Sequence, residues 1–382
     1  MTERVSPLHP VHEAAGASFT DFAGWQMPVR YQSDLDEHHA VRQSAGIFDI
    51  SHMAEIRVTG PAAAEMLDYA LCGRLSATTI GQAKYSMLLS ERGTVLDDLV
   101  VYRLGEADFL VVANAGNHAV VRDALTERAT DFDAVVTDES GETALIAVQG
   151  PRAIEVLSGI AELILETSFD ELGYYRTTPA RFADTDVLIA RTGYTGEDGV
   201  EVYLPNAQAI EFWNAVLAAG ESLGAGVVSP AGLAARDTLR LEAGMPLYGH
   251  ELSADIVPAQ LGMAKIVVLG KPGDFVGRAA TEAGEHPDRR VLLGLRADGR
   301  RAARAGAEVF TPGADADAAP IGVVTSGVLS PTLGYPIALA LVEPDALESV
   351  AAGQAVSVDI RGRRHDFSIT ELPFTSRKKP SA

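Results

Sequence analysis

A single cysteine, Cys72, stands in 382 residues, which excludes an intramolecular disulfide and any multi-cysteine metal centre. Its setting, Leu71-Cys72-Gly73 after an apolar run, reads as a small buried side chain. Basic residues are scarce. Against 52 Asp and Glu there are 31 Lys and Arg, a net charge of -21, and such a surface does not favour nucleic acid or anionic membrane. No apolar stretch reaches the roughly 18 residues of a membrane span. Met1-Thr2-Glu3-Arg4-Val5-Ser6-Pro7 has no apolar signal core, so the chain is read as cytoplasmic. The nine histidines form no HExxH, and His38-His39 point to different helix faces; no metal is expected. Gly270-Lys271 lacks the upstream glycine of a phosphate loop, and Gly224-Ala225-Gly226-Val227-Val228-Ser229 has serine where a dinucleotide fingerprint needs its last glycine.

What is present is material for folded cores in two or three domains: 47% hydrophobic and 22% charged residues. The first part alternates strand and helix patterns, with one phrase repeated. Ala54–Val58 reads as a strand, followed by Gly60-Pro61 and a helix from Ala62. Ala144–Val148 is followed by Gly150-Pro151 and a helix from Ala153. Proline in a first helical turn is harmless, and two such copies indicate two related α+β lobes. Lys84–Leu89 and Val95–Tyr102 form a hairpin through Ser90-Glu91-Arg92-Gly93. Phe109–Ala113 is a strand, and Asn117 suits the cap of the helix after it. Asn206 precedes a helix with Ile210, Trp213, Val216 and Leu217 on one face. Ser229-Pro230 opens a helix over Ala231–Ala243. From about Asp288 short β-type runs dominate, and many short strands with turns need sheet closure, hence a separate β-barrel. The loop from Thr311 to Pro320 is exposed, and 272–287 connects the parts.

Three constellations carry chemistry. In Val95-Leu96-Asp97-Asp98-Leu99-Val100-Val101-Tyr102, successive side chains face opposite sides. Asp98 shares a face with Leu96, Val100 and Tyr102, and Asp97 with Val95, Leu99 and Val101. At least one carboxylate is therefore partly buried, either for a ligand or catalytic task or satisfied by nearby amides. The second is Arg191-Thr192-Gly193-Tyr194-Thr195-Gly196-Glu197-Asp198-Gly199-Val200-Glu201. Its glycines permit close backbone approach. Glu201, opposite Val200 and Val202, is either an ordinary solvent-facing residue or an acceptor for two parallel donors such as a pterin edge. Third, Arg236 and Arg240 lie one helical turn apart, which suits either a bound carboxylate or a surface network with Asp237 and Glu242.

These stretches together resemble the aminomethyltransferase (T protein) family of the glycine cleavage system. The matching phrases run in order over nearly the whole chain: Asp21–Pro28, Gly46–Met53, Gly93–Tyr102, Arg191–Glu201, Ala231–Met245 and Thr325–Gly334. The resemblance implies an α+β architecture around a central channel. Residues 1–275 would form two interleaved folate-binding α+β lobes and 288–375 a C-terminal β-barrel. It implies transfer of an aminomethyl group from the dihydrolipoyl arm of a lipoylated H protein to tetrahydrofolate, giving 5,10-methylenetetrahydrofolate and ammonia. By position, Asp98 would be the catalytic carboxylate near folate N5. Met53, Tyr85 and Tyr194 would line the pterin and aminobenzoyl path, Glu201 would hold the pterin edge, and Arg236 and Arg377 would meet more polar portions. Met245 stands where some relatives carry an aromatic. Arg289, Arg290, Arg300, Arg301 and Arg304 are a basic cluster suited to a docking partner.

Two other activities remain open on the sequence. One is a folate-dependent demethylase of the same fold. The other is a non-catalytic folate-binding factor of iron-sulfur maturation, although that family carries a Lys-Gly-Cys-Tyr phrase and Cys72 is flanked by Leu71 and Gly73.

Overall fold

A computed structural model describes residues 4–284, 286–315, 317–347 and 355–376; Arg377 lies outside them. Two sheets and a barrel form the frame. The first sheet has five antiparallel strands in the spatial order Gln82–Leu89, Val95–Gly105, Asp108–Ala113, Ala54–Thr59 and Val135–Asp138. Helices Ala63–Ala70 and His118–Arg128 cover one face, burying Ile56, Val58, Met66, Leu67, Val121 and Leu125.

The second sheet has seven strands: Leu163–Leu165, Thr177–Phe182, Thr185–Ala190, Gly199–Pro205, Thr143–Gln149, Ala45–Asp49 and Val228–Pro230. Helices Ala153–Ser158 and Ala209–Leu223 pack on it through Val156, Leu157, Phe212, Trp213 and Val216. The two lobes are interleaved, because Ala45–Asp49 joins the second sheet before Ala54–Thr59 enters the first. The uncovered faces of the sheets meet in a third core that includes Phe48, Ile50, Tyr102, Val112, Leu145 and Tyr203.

The repeated Gly-Pro phrase has one physical cause in both lobes. Gly60 and Gly150 take φ of 120° and 133°, where a side chain is strained. A Cβ at Gly60 would lie 2.6 Å from the Asp133 carbonyl oxygen, and one at Gly150 only 2.4 Å from that of Ser44. The prolines sit in the turn just outside the helices, which begin at Ala63 and Ala153.

Two local expectations change. Asn117 does cap the helix by position, but its side chain makes no capping bond and donates to Asp97 instead. Asn206 precedes the helix Ala209–Leu223 as expected, and its side chain donates to the Gly141 carbonyl. Ser229-Pro230 does not open a helix: it ends a short strand paired in parallel with Ala45–Ile47, and the helix runs over Leu233–Glu242.

The barrel closes through six strands in the order Val291–Arg296, Pro336–Val342, Gly322–Leu329, Glu308–Phe310, Ala355–Asp359 and Arg364–Thr370. Leu295, Val309, Val324, Ala340, Val356 and Phe367 fill it. Its attachment to the lobes combines apolar packing, Leu241 against Ile337 and Leu339, with a buried polar clamp. Glu242 accepts from the Ser330 hydroxyl and, at 3.0 and 2.7 Å, from the Thr332 amide and hydroxyl. On the lobe side it pairs with Arg42 at 2.8 Å and lies 3.3 Å from His38 Nε2.

Candidate active site

Where the inner faces of the sheets diverge lies a partly open cavity of about 360 Å³ walled largely by tyrosine and aliphatic side chains. Each wall follows from strand alternation. On Val95–Gly105, Asp98, Val100 and Tyr102 point inward, and on Gly199–Pro205, Glu201 and Tyr203 do so. The helix Leu233–Glu242 contributes Arg236, and the segment after it contributes Met245, Pro246 and Tyr248.

Both carboxylates of the Asp97-Asp98 pair are withdrawn from water, on opposite faces of their strand. Asp97 is fully buried. It accepts from Asn114 Nδ2 at 2.9 Å, the Asn114 amide at 3.0 Å and Asn117 Nδ2 at 2.6 Å. Asp98 opens into the cavity. Its Oδ2 accepts from the Tyr85 hydroxyl at 2.9 Å and its Oδ1 from Asn114 Nδ2 at 2.9 Å. Asn114 thus touches both acids through one amide nitrogen. Burial, then the charge of Asp98, pushes Asp97 up to about 7. Burial also raises Asp98, opposed by the Tyr85 and Asn114 hydrogen bonds. A carboxylate held in a cavity with its pKa raised is suited to proton transfer or to facing a developing cation.

Glu201 is not the solvent-facing residue that simple alternation allows. Its Oε2 accepts from Thr192 Oγ1 at 2.5 Å and from the Tyr102 hydroxyl at 3.5 Å. Oε1 has no hydrogen-bond partner among the described residues and can accept a donor from a ligand. Burial raises the Glu201 pKa, opposed by the Thr192 hydrogen bond and the charge of Arg236. Arg236 has no ion pair among the described residues and stacks over the Tyr194 ring at 4.8 Å. The Tyr194 hydroxyl in turn donates to the Pro246 carbonyl.

The two helical arginines separate in function. Arg240 is 1% exposed and pairs with Glu251 at 2.9 Å and Asp237 at 2.8 Å. It also donates to Ser326 of the barrel at 2.8 Å. It is a structural tie, neither a cavity residue nor part of a surface network. Glu242 likewise belongs to the interdomain clamp.

The cavity therefore gathers Met53, Tyr85, Asp98, Tyr194, Glu201 and Arg236, with Met245 on the same wall. The glycine-rich loop is bound chiefly to the protein itself. Arg191 pairs with Asp198 at 2.7 Å, and a Cβ on Gly193 would strike Gln149. Sequence reading missed Asn114, Tyr102, Tyr203 and His52. His52 lines the cavity, nearly buried, and its Nδ1 has no partner. Burial, then the charge of Arg236, pushes it down to about 4, so it is neutral near pH 7. Tyr102 shared a face with Asp98 in the sequence pattern, the one signal that marked it in advance.

The fold and site define a transferase of two interleaved α+β lobes and a barrel, built around a cavity between the lobes. Residues 8–271 match the GCVT N-terminal domain, and 289–375 match the glycine cleavage T-protein C-terminal barrel domain. The chain is 52% identical over 381 residues to the aminomethyltransferase of Cutibacterium acnes, covering 98% of this chain and 99% of that one. It is 52% identical to that of Saccharopolyspora erythraea, covering 98% of each. The crystal structure of the glycine cleavage system aminomethyltransferase T from Bartonella henselae superposes with a TM-score of 0.88 at 37% identity, covering 100% of both chains. The chain belongs to the glycine cleavage T-protein family of aminomethyltransferases. Among the described residues no helix is long and apolar enough to cross a membrane.

Proposed function

We propose that the chain takes the aminomethyl group from the dihydrolipoyl arm of a lipoylated H protein and passes its carbon to tetrahydrofolate in the cytoplasm, yielding 5,10-methylenetetrahydrofolate and ammonia. The observation that carries this reading is one cavity holding the half-buried Asp98 together with Glu201 and the unpaired Arg236.

Each residue has a task set by its chemistry. Glu201 accepts the parallel N–H donors of a pterin edge, one at the open Oε1 and one at Oε2, which then shares its lone pairs with Thr192. Met53, Tyr85 and Tyr194 supply apolar and aromatic walls to the flat ring systems. Arg236 meets the substrate's polar portion, and Arg377, outside the described residues, is assigned the same task. Asp98 orients N5 and stabilises positive charge as that nitrogen attacks the aminomethyl carbon. The methylene carbon exchanges its bonds to sulfur and to the amino nitrogen for bonds to N5 and N10. The two N–H protons leave with the thiol and with ammonia, so the step balances without a metal or redox partner. Holding both substrates together makes a bimolecular encounter effectively intramolecular.

The carrier needs a landing site on an acidic protein. Within the arginine cluster, Arg289 pairs with Asp345 at 3.6 Å and Arg290 with Asp288 at 2.7 Å. Arg300, Arg301 and Arg304 are exposed and have no ion pair among the described residues, so they supply the free positive charge for docking. Incubation with aminomethyl-loaded H protein and tetrahydrofolate tests the reading: methylenetetrahydrofolate and ammonia should form in equal amounts.

A further inference from the structure

A second groove, of about 620 Å³, lies between the two sheets, and Tyr203 lines both it and the folate-sized cavity. Five carboxylates border it: Glu55, Asp108, Glu139, Glu166 and Asp186. Arg57, the one cation in its lining, pairs with Asp108 at 3.0 Å and lies 3.8 Å from Glu139. Asp186 lies 3.7 Å from the exposed Arg181. Glu55 and Glu166 have no cationic partner among the described residues.

Glu55 is the anomaly. It is fully buried, yet neither side-chain oxygen has a hydrogen-bond partner. Its backbone is satisfied, because its amide donates to Ser140 Oγ at 2.9 Å and its carbonyl accepts from the Glu139 amide at 2.9 Å. Its strand neighbours Ala54 and Ile56 face the helices, so alternation turns Glu55 toward the other lobe. A buried carboxyl without a donor is costly to keep unless a ligand completes it.

We infer that this groove binds the primary ammonium group of a small amine, seated on Glu55. An ammonium supplies three donors and a positive charge to a site that has acceptors and negative charge in excess. An anion would meet a surplus of carboxylates. A divalent metal would need converging ligands, and among the described residues no three His, Cys, Asp or Glu side chains are so arranged.

Burial raises the Glu55 pKa well above the usual range. The charges of Asp138 and Glu139 raise it further. Asp138, Glu139 and, from the other sheet, Tyr203 interact with it, and Arg57 and Asp108 line the same groove. A cation seated on Glu55 favours its ionised form.

Calorimetric titration of the full chain with methylammonium chloride at pH 7 tests this, with sodium chloride as the ionic-strength control. The expected result is saturable binding. Glu55→Gln should abolish saturation while leaving tetrahydrofolate affinity unchanged. Should Glu55→Gln fold poorly, Glu166→Gln and Asp186→Asn alter exposed rim residues and should each weaken binding several-fold. Heats no different from sodium chloride, or rim variants and Glu55→Gln that bind like wild type, would overturn the inference.

Discussion

The Tyr85 hydroxyl donates to Asp98 Oδ2 at 2.9 Å between neighbouring strands of one hairpin. Tyr85 opposes Val100, and Asp98 opposes Met87 two residues along, so the pair is a diagonal cross-strand contact. The phenol stabilises the ionised form of a carboxyl that burial pushes the other way. Tyr85 therefore sets the protonation state of Asp98 as well as lining the cavity.

Tyr85→Phe should raise the Asp98 pKa further, because it removes a hydrogen bond that favours the charged form. If Asp98 acts ionised, the acid limb of the pH–rate profile moves to higher pH, with little change well above it. An unmoved limb would separate Tyr85 from the titration of Asp98.

Glu201→Gln should weaken tetrahydrofolate binding by about 1.5–3 kcal/mol, since an amide cannot accept from two parallel donors with its full side chain. Thr192 can still donate to the amide oxygen, so the fold should hold. Calorimetry showing wild-type affinity would remove Glu201 from pterin recognition.

How much of this was legible in the sequence depended on whether the deciding contact was local. Period-two alternation over Val95–Tyr102 placed Asp97 and Asp98 on opposite faces, and both are withdrawn from water. It could not say that Asn114, on the neighbouring strand's end, would bond both acids. For Glu201 the same alternation suggested solvent, because the sheet that covers it comes from residues 82–113 and pairing at that range leaves no local trace. Arg236 and Arg240 looked alike at one-turn spacing. Ser326, 86 residues beyond Arg240, draws one of them into the domain interface. Asn117 had the right residue type for a cap, and the stronger attraction of Asp97 took its side chain.

Glu242→Gln should cost about 1–3 kcal/mol of stability, because it removes one of the two carboxylates that pair with the buried Arg42 and leaves Glu197 at 3.0 Å as the other. Hydrogen bonds from His38, Ser330 and Thr332 and the charge of His38 hold Glu242 down at about 2 despite burial. A depressed folded pKa contributes stability that is present above the unfolded value near 4.3 and lost as pH falls toward 2. Wild type should lose stability over that window, and the variant should show a flatter acid slope. Equal slopes in denaturant unfolding at pH 5 and 3 would contradict the clamp.

Docking through Arg300, Arg301 and Arg304 predicts that the apparent affinity for H protein falls as salt rises past about 0.15 M, where the screening length is roughly 8 Å. Tetrahydrofolate affinity should change less, since its cavity is walled largely by apolar and tyrosine side chains away from these arginines. Reversing Arg300 and Arg301 to Glu should raise the apparent Michaelis constant for H protein. Indifference to both salt and charge reversal would place the carrier elsewhere.

The account rests most heavily on Asp98, and single-turnover transfer by Asp98→Asn tests it directly. The asparagine oxygen can still accept from Asn114, so the variant should fold and bind tetrahydrofolate like wild type. Transfer from aminomethyl-loaded H protein should nevertheless fall by about 10²-fold or more, the scale of losing one preorganised charge at a reacting centre. Asp97→Asn, whose side chain faces away from the cavity, should be milder. Near wild-type turnover by a correctly folded Asp98→Asn would contradict the assignment of Asp98 as the catalytic carboxylate.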